Sequence, residues 1–229
     1  MGDWLRRLGL FLCLGLGLGL ILLFGYRAAV KPFGQTALDG GSKEVQGSTT
    51  VGQTFVAPFD GLYRVDVFLS PSGGTDKGDV LFHVRTAPDA GEDLRSGVVN
   101  ASNVKSAGWF QIEFAPIPDS GGKSYYFLLE SPSSTPGDTF SASRSSLDRY
   151  RDGVYYLDGA PSDGDLAFQI HSQPGLISWM QGLCRLLAQN KPSIWGDPAF
   201  YGALFVGYVG LLAAAVHLLL HEGPEEEIL

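Results

Sequence analysis

Hydrophobic and polar positions follow three different rhythms along this chain. From Leu8 to Tyr26 the sequence reads LGLFLCLGLGLGLILLFGY, without a charge. At 1.5 Å per residue such a helix reaches about 28 Å, close to the thickness of a hydrocarbon core. A second uncharged run, AFYGALFVGYVGLLAAAVHLLL, covers Ala199–Leu220 and is also long enough to span. Between Pro174 and Lys191 the apolar residues Ile177, Met180, Cys184 and Leu187 recur every three or four positions, with Leu176 and Leu183 beside them. Ser178, Gln181, Arg185 and Gln189 fall on another face, so this stretch predicts an amphipathic helix.

From Gly34 to Gln173 the rhythm drops to a period of two. Val80, Phe82 and Val84 alternate with Leu81, His83 and Arg85, and Phe110, Ile112 and Phe114 with Trp109, Gln111 and Glu113. Leu166, Phe168 and Ile170 alternate with Ala167, Gln169 and His171. That alternation predicts half-buried strands at 53–57, 62–70, 79–86, 108–115, 124–131, 138–144, 153–157 and 165–172. The intervening stretches, such as SPSGGTDKGD, PIPDSGGKS and LDGAPSDGD, carry turn chemistry. The expected fold is therefore an all-β antiparallel jelly-roll sandwich, flanked by two transmembrane α-helices and an amphipathic interfacial helix.

The expected organisation is a cytoplasmic N-terminus (1–7), a first span (8–26), an extracytoplasmic sandwich (34–173), an interfacial helix (175–190), a second span (199–220) and an acidic cytoplasmic tail (221–229). Arg6 and Arg7 place the N-terminus in the cytoplasm, and two spans return the C-terminus to the same side. Arg27, Lys31, Arg185 and Lys191 flank the other side, but long loops translocate largely regardless of their charge. The first run exceeds the 7–15 residues typical of a signal-peptide core and ends in Tyr26-Arg27, where a small-residue cleavage site would stand. An uncleaved anchor is the preferred reading and a cleaved signal the alternative.

Composition narrows the function. Across 229 residues, 16 basic and 24 acidic side chains give a net charge of −8, with no basic stripe for nucleic acid. Two cysteines, Cys13 and Cys184, do not make a disulfide or zinc framework. Gly121-Gly122-Lys123-Ser124 ends like a phosphate loop, but the earlier glycine is missing and the segment joins strand to strand. Gly15-x-Gly17-x-Gly19 lies inside a span and has no preceding strand. No enzyme signature remains, and the expected role is non-enzymatic.

Three stretches, GQTFVAPFDGLYRVDVFLS, FQIEFAPIPDSGGKSYYFLLESP and DRYRDGVYYLDGAPSDGDLAFQIH, resemble jelly-roll modules of bacterial envelope membrane proteins, which are similar to galactose-binding and carbohydrate-binding sandwiches. The resemblance covers about residues 45–172. It implies a module beside transmembrane segments of the bacterial envelope, with a glycan as a candidate ligand, and transfers no catalytic residues. The two spans and the lack of converging catalytic groups point to an accessory subunit of a larger assembly in the bacterial inner membrane. Its expected partners are the lipid bilayer and other integral membrane proteins, with a membrane-tethered glycan-binding module as the alternative.

Candidate sites are sparse. Tyr150, Tyr155 and Tyr156 crowd one stretch with several aspartates and could stack on a sugar ring. Asp158, Asp163 and Asp165 are the candidate ligands for Ca²⁺, set against the alternative that they simply form turns. No other cofactor is expected. Ala213-x-x-x-His217-Leu218 is similar to the pigment-ligand motif of bacterial light-harvesting polypeptides, which would make His217 a tetrapyrrole ligand. His217 and His221 at a membrane interface are the alternative. His83 and His171 fall on outward faces by alternation and read as exposed surface histidines. Gly15 and Gly19 in the first span, and Ala203 and Gly207 in the second, provide small faces for helix packing.

Overall fold

The computed structural model describes residues 9, 12–13, 15–20, 22–23, 31–73, 78–100 and 103–221. It divides into two compact units, one being Val30–Ser178 and the other formed by the helical segments on either side.

The first unit is built from two antiparallel sheets packed face to face. Its strands are β1 (Phe33–Gln35), β2 (Ser42–Val45), β3 (Thr50–Val56), β4 (Leu62–Ser72), β5 (Val80–Arg85), β6 (Arg95–Val99), β7 (Gly108–Ile117), β8 (Ser124–Glu130), β9 (Thr139–Ser145), β10 (Tyr155–Leu157), β11 (Ala160–Ser162), β12 (Asp165–Leu166) and β13 (Phe168–Ser172). One sheet has the order β1-β13-β4-β9-β12, with β2 beside β9 and β7 beside β4. The other runs β11-β10-β3-β8-β5-β6. Only β5–β6 and β10–β11 pair as sequence neighbours within the second sheet. Each step from β2 to β5, and from β6 to β10, carries the chain from one sheet to the other.

Alternation explains the core. Val65, Val67 and Leu69 of β4 point inward, as do Phe82 and Val84 of β5, Phe127 and Leu129 of β8, and Phe168 and Ile170 of β13. Phe55, Phe127 and Phe168 form a ring cluster with centroids 5.6–6.2 Å apart, a spacing at which aromatic pairs attract beyond their area burial. Gly52 of β3 shows why one central position must lack a side chain. An added Cβ would collide with the ring of Tyr126, which lies across it from β8.

The strands expected from alternation at 62–70, 108–115 and 124–131 correspond to β4, β7 and β8. Four short strands carry too little pattern to be read: β2 is SKEV, β11 is APS, β6 has Gly97 at its centre, and β1 has three residues. The expected strand at 165–172 is split. Asp165 and Leu166 pair with β9, the chain turns at Ala167, and Phe168–Ser172 pair with β4. Ala167 holds this corner, its N–H donating to Ser143 O and its carbonyl accepting from Phe68 N.

The helices after the sandwich are α1 (Leu176–Ala188), a single 3₁₀ turn (Ser193–Gly196) and α2 (Pro198–His221). Within α2, Pro198–Leu218 is long and apolar enough to cross a membrane by length and composition, and is the one such helix among the described residues. Of the expected first span, Gly9, Leu12, Cys13, Gly15–Leu20, Leu22 and Leu23 are helical. The rest of Leu8–Tyr26, and Arg6, Arg7 and the acidic tail, lie outside the described residues.

Candidate functional site

The register of β13, β4 and β7 lays polar side chains out in rows on the outer face of the seven-stranded sheet. His171, Arg64 and Glu113 stand opposite one another in one row, and Gln169, Asp66 and Gln111 in the next. Phe68 and Trp109 pair in the row beyond, edge to face at 5.5 Å and 88°. Asp66 is only 3% exposed although it faces outward. It is held by a two-pronged contact from Arg64, Nε to Oδ1 at 2.7 Å and Nη2 to Oδ2 at 2.9 Å, with His171 Nε2 2.9 Å from Oδ2. The hydrogen bond to Asp66 holds the Arg64 guanidinium above its ordinary range, against the desolvation that would lower it. Charge-assisted forks of this kind are strong and geometrically strict. Glu113 stands 3.8 Å from Arg64 Nη1 and is largely exposed, where an ion pair contributes little. Tyr63, displaced by the irregularity between Leu62 and Arg64, adds an edge-on ring 6.5 Å from His171.

The outer face of the six-stranded sheet carries a second cluster. Asp93, in the β5–β6 connection, accepts from Arg85 Nε and lies against His83 Nδ1, both at 2.6 Å. Burial raises the Asp93 carboxyl, but the hydrogen bonds from Arg85 and His83 outweigh it and leave the group below its ordinary value. Glu130 Oε1 lies 3.5 Å from His83 Nε2. Further across, Tyr126 and Tyr156 meet edge to face at 5.3 Å, and desolvation pushes the Tyr126 phenol up to about 12. Both histidines therefore lie on outward faces, but His83 and His171 are 17% and 14% exposed. They are not free surface residues, because acids from neighbouring strands and from the β5–β6 connection lie against them.

The three candidate tyrosines do not share a surface. Tyr155 points into the core and is 1% exposed. Tyr150 packs edge-on against Phe168 at 5.1 Å and its hydroxyl accepts from Val56 N. Burial pushes that phenol up to about 12. Only Tyr156 stays on the outer face, as the period of two requires of neighbouring residues in a strand.

The three candidate calcium ligands also diverge. Asp165 is buried and accepts from Gln53 Nε2 at 3.0 Å, Arg149 N at 2.6 Å and Tyr150 N at 2.8 Å. Asp158 accepts from Thr50 N at 2.9 Å, and Asp163 is exposed. Among the described residues no group of three or more acids, histidines or cysteines is arranged to hold a metal ion. Asp158 and Asp165 bind the chain's own backbone, which is the turn-forming alternative.

The Gly121–Ser124 segment ends the turn between β7 and β8 and enters β8 at Ser124. Ser120 Oγ donates to Phe59 O and accepts from Leu62 N, and Gly122 N donates to Ala57 O, so the segment ties two loops together. His217 occupies an exposed position of α2, and the side chain of His221 lies outside the described residues. Gly15, Gly19 and Gly207 have open space where a side chain would stand, and Ala203 is exposed. The close approach is at Gly17 instead. An added Cβ there would lie 2.5 Å from the Tyr208 hydroxyl oxygen of α2. Tyr201, Phe205, Tyr208 and Leu212 form the half-buried stripe of α2, at steps of four, three and four, a spacing that keeps them on one side of the helix.

The fold and these clusters define an antiparallel two-sheet β protein with attached apolar helices. No family model matches the chain, and no curated protein matches it. Sequence reasoning missed the Arg64–Asp66–His171 group. Alternation placed His171 on an outer face, but its convergence with Arg64 and Asp66 depends on β13 pairing with β4 across more than a hundred residues of chain.

Proposed function

We propose that this chain is a membrane-anchored, non-enzymatic β-sandwich that acts as an accessory subunit of a larger membrane assembly. The observation that carries the reading is α2. Its 21-residue apolar stretch Pro198–Leu218 has no fully buried share within the chain, so in water the fold would leave most of this greasy helix exposed. A bilayer removes that surface from water at roughly 25 cal/mol per Å². Ala203, Gly207, Gly210 and Ala214 lie on exposed positions away from the stripe of Tyr201, Phe205 and Tyr208. Small residues allow the close backbone approach that helix packing in lipid requires, and we assign this face to a helix of a partner protein. In this reading the sandwich has jelly-roll character, lies outside the cytoplasm of a bacterial cell, and both termini are cytoplasmic. The outward histidines take structural roles, since Asp66 and Arg64 hold one and Asp93 the other.

The test is purification from native membranes in mild detergent, with mass spectrometry of the chains that accompany it. Stable co-purification of integral membrane proteins is expected. Recovery as a monomer from the membrane-free fraction would overturn the proposal.

A second reading, a glycan-binding module, is favoured by one observation. Trp109 is 37% exposed on the outer sheet face, with Gln111 two residues along its strand and Phe68 beside it. An aromatic face next to hydrogen-bonding side chains suits a pyranose ring. On this reading Trp109→Ala abolishes binding on a glycan array, and Tyr155→Phe leaves it unchanged.

A further inference from the structure

The helix α1 presents more apolar surface than the protein covers. At about 100° per residue, its side chains sort into three sectors. Trp179, Gly182 and Leu186 occupy one, in which Trp179 and Gly182 are buried. Ser178, Gln181, Arg185 and Gln189 occupy a polar sector that adjoins it, centred about 90° round the helix. The remaining arc carries a stripe of Met180, Cys184 and Leu187, the first two half-buried, which Leu176 and Ile177 extend at the first turn. Leu176 is 70% exposed, Ile177 73% and Leu187 42%. A helix that packed only on its own protein would turn this sector inward or make it polar.

The segment after α1 indicates the medium that covers the stripe. A short linker leads directly into α2, and it carries Ile194 and Trp195, both more than half exposed. Trp195, Phe200 and Tyr201 stack edge to face, with successive centroids 5.1 and 5.4 Å apart. The Tyr201 hydroxyl donates to Trp195 O at 3.1 Å and accepts from Lys191 Nζ at 3.1 Å, and the same ammonium lies 5.1 Å from the Tyr201 ring centroid. Lys191 thus places a cation on the Tyr201 ring at the start of a helix of spanning length, and Arg185 adds a second cation on the polar sector of α1. Aromatic rings with one polar end, and a cation on a long stem, are the side chains that settle at the level of lipid headgroups.

We propose that α1 and the linker to α2 lie in the headgroup–acyl boundary of the bilayer, with Met180, Cys184, Leu187, Ile194 and Trp195 in lipid and Arg185 and Lys191 at the phosphates. This rests on the membrane-anchor reading of α2 and adds the depth at which α1 and the linker lie. Amphipathic helices bind in this manner, through buried apolar area together with attraction to anionic lipid.

The experiment uses the full chain with Cys13→Ser and Cys184→Ser, reconstituted into vesicles of phosphatidylcholine and phosphatidylglycerol. Single cysteines at Leu187→Cys, Gln181→Cys or Leu211→Cys carry an environment-sensitive fluorophore. The expected result has the probe at 187 quenched by a nitroxide held near the lipid headgroups and shielded severalfold from aqueous iodide. The probe at 181 shows the reverse, and the probe at 211 is reached by a deep nitroxide. Equal iodide access at 187 and 181, with 211 still in lipid, overturns the boundary placement and leaves the anchor standing. Iodide access at 211 as well overturns both. Preserved strand content by circular dichroism in each variant excludes misfolding as the cause.

Discussion

Asp165 is a buried side chain on which several donors converge. Three of them, Gln53 Nε2, Arg149 N and Tyr150 N, converge on its two oxygens, and Gln53 Oε1 in turn accepts from Leu166 N. The group joins β3, β12 and the loop before β10. Asp165→Ala leaves those donors without a partner and is expected to cost about 3 kcal/mol, read as a lower denaturation midpoint. Asp165→Asn keeps the volume and one acceptor, so a smaller loss is expected. The two desolvated phenols give a second prediction at this scale. Tyr126 and Tyr150 are held near 12, so each binds its proton more tightly folded than unfolded, where the value is about 10. Their contribution to stability is complete below pH 10 and is lost as pH rises through about 12. Absorbance titration should show these two phenolates appearing later than those of exposed tyrosines, and Tyr126→Phe should remove one late-ionising group.

At the scale of elements, the β3–β8 pair shows how a sheet depends on an absent side chain. Tyr126 lies over Gly52, and Tyr156 closes the other side of the ring. Gly52→Val must displace that ring or spread the two strands, and overpacking of this kind costs about 1–3 kcal/mol. Gly91, which has open space around its missing side chain, is the control. Gly91→Ala should leave the thermal midpoint within a degree or two, since open surface substitutions stay within about 0.5 kcal/mol. The same scale separates what alternation can and cannot report. The period of two fixes that His83 and Arg85 share a face of β5. It does not report that Asp93 folds back from the following loop to meet both.

At the scale of the molecule, the β unit draws its core from its own residues. Its buried apolar residues run from Val45 to Ile170, inside Val30–Ser178. A fragment of those residues is expected to melt cooperatively with a β-type circular dichroism spectrum, and a non-cooperative transition would show that the flanking helices contribute to the core. Acid should weaken this unit through Asp93. Its carboxyl lies below the ordinary value when folded, so its stabilisation is present above about pH 4 and is lost as pH falls through the folded value. Asp93→Asn should flatten that part of the stability–pH curve.

The sequence by itself determined the longer strands of the middle region, the inward set of Val, Leu and Phe side chains, and the apolar run at 199–220. Each follows from a local period, which is carried by neighbouring residues. It also contained the rule that sends Tyr155 inward and Tyr156 outward. Only the tertiary structure decided which strands pair, that the 165–172 run breaks at Ala167 to serve two partners, and that Arg64, Asp66 and His171 meet. Those outcomes depend on closing long loops between sheets, where the contact is made by residues far apart in the chain and no periodic signal records the partner. The fate of the aspartates was decided in the same way. Whether Asp165 would face a cation or three backbone and side-chain donors was settled by the approach of β3 and the 149–150 loop, not by its neighbours in sequence.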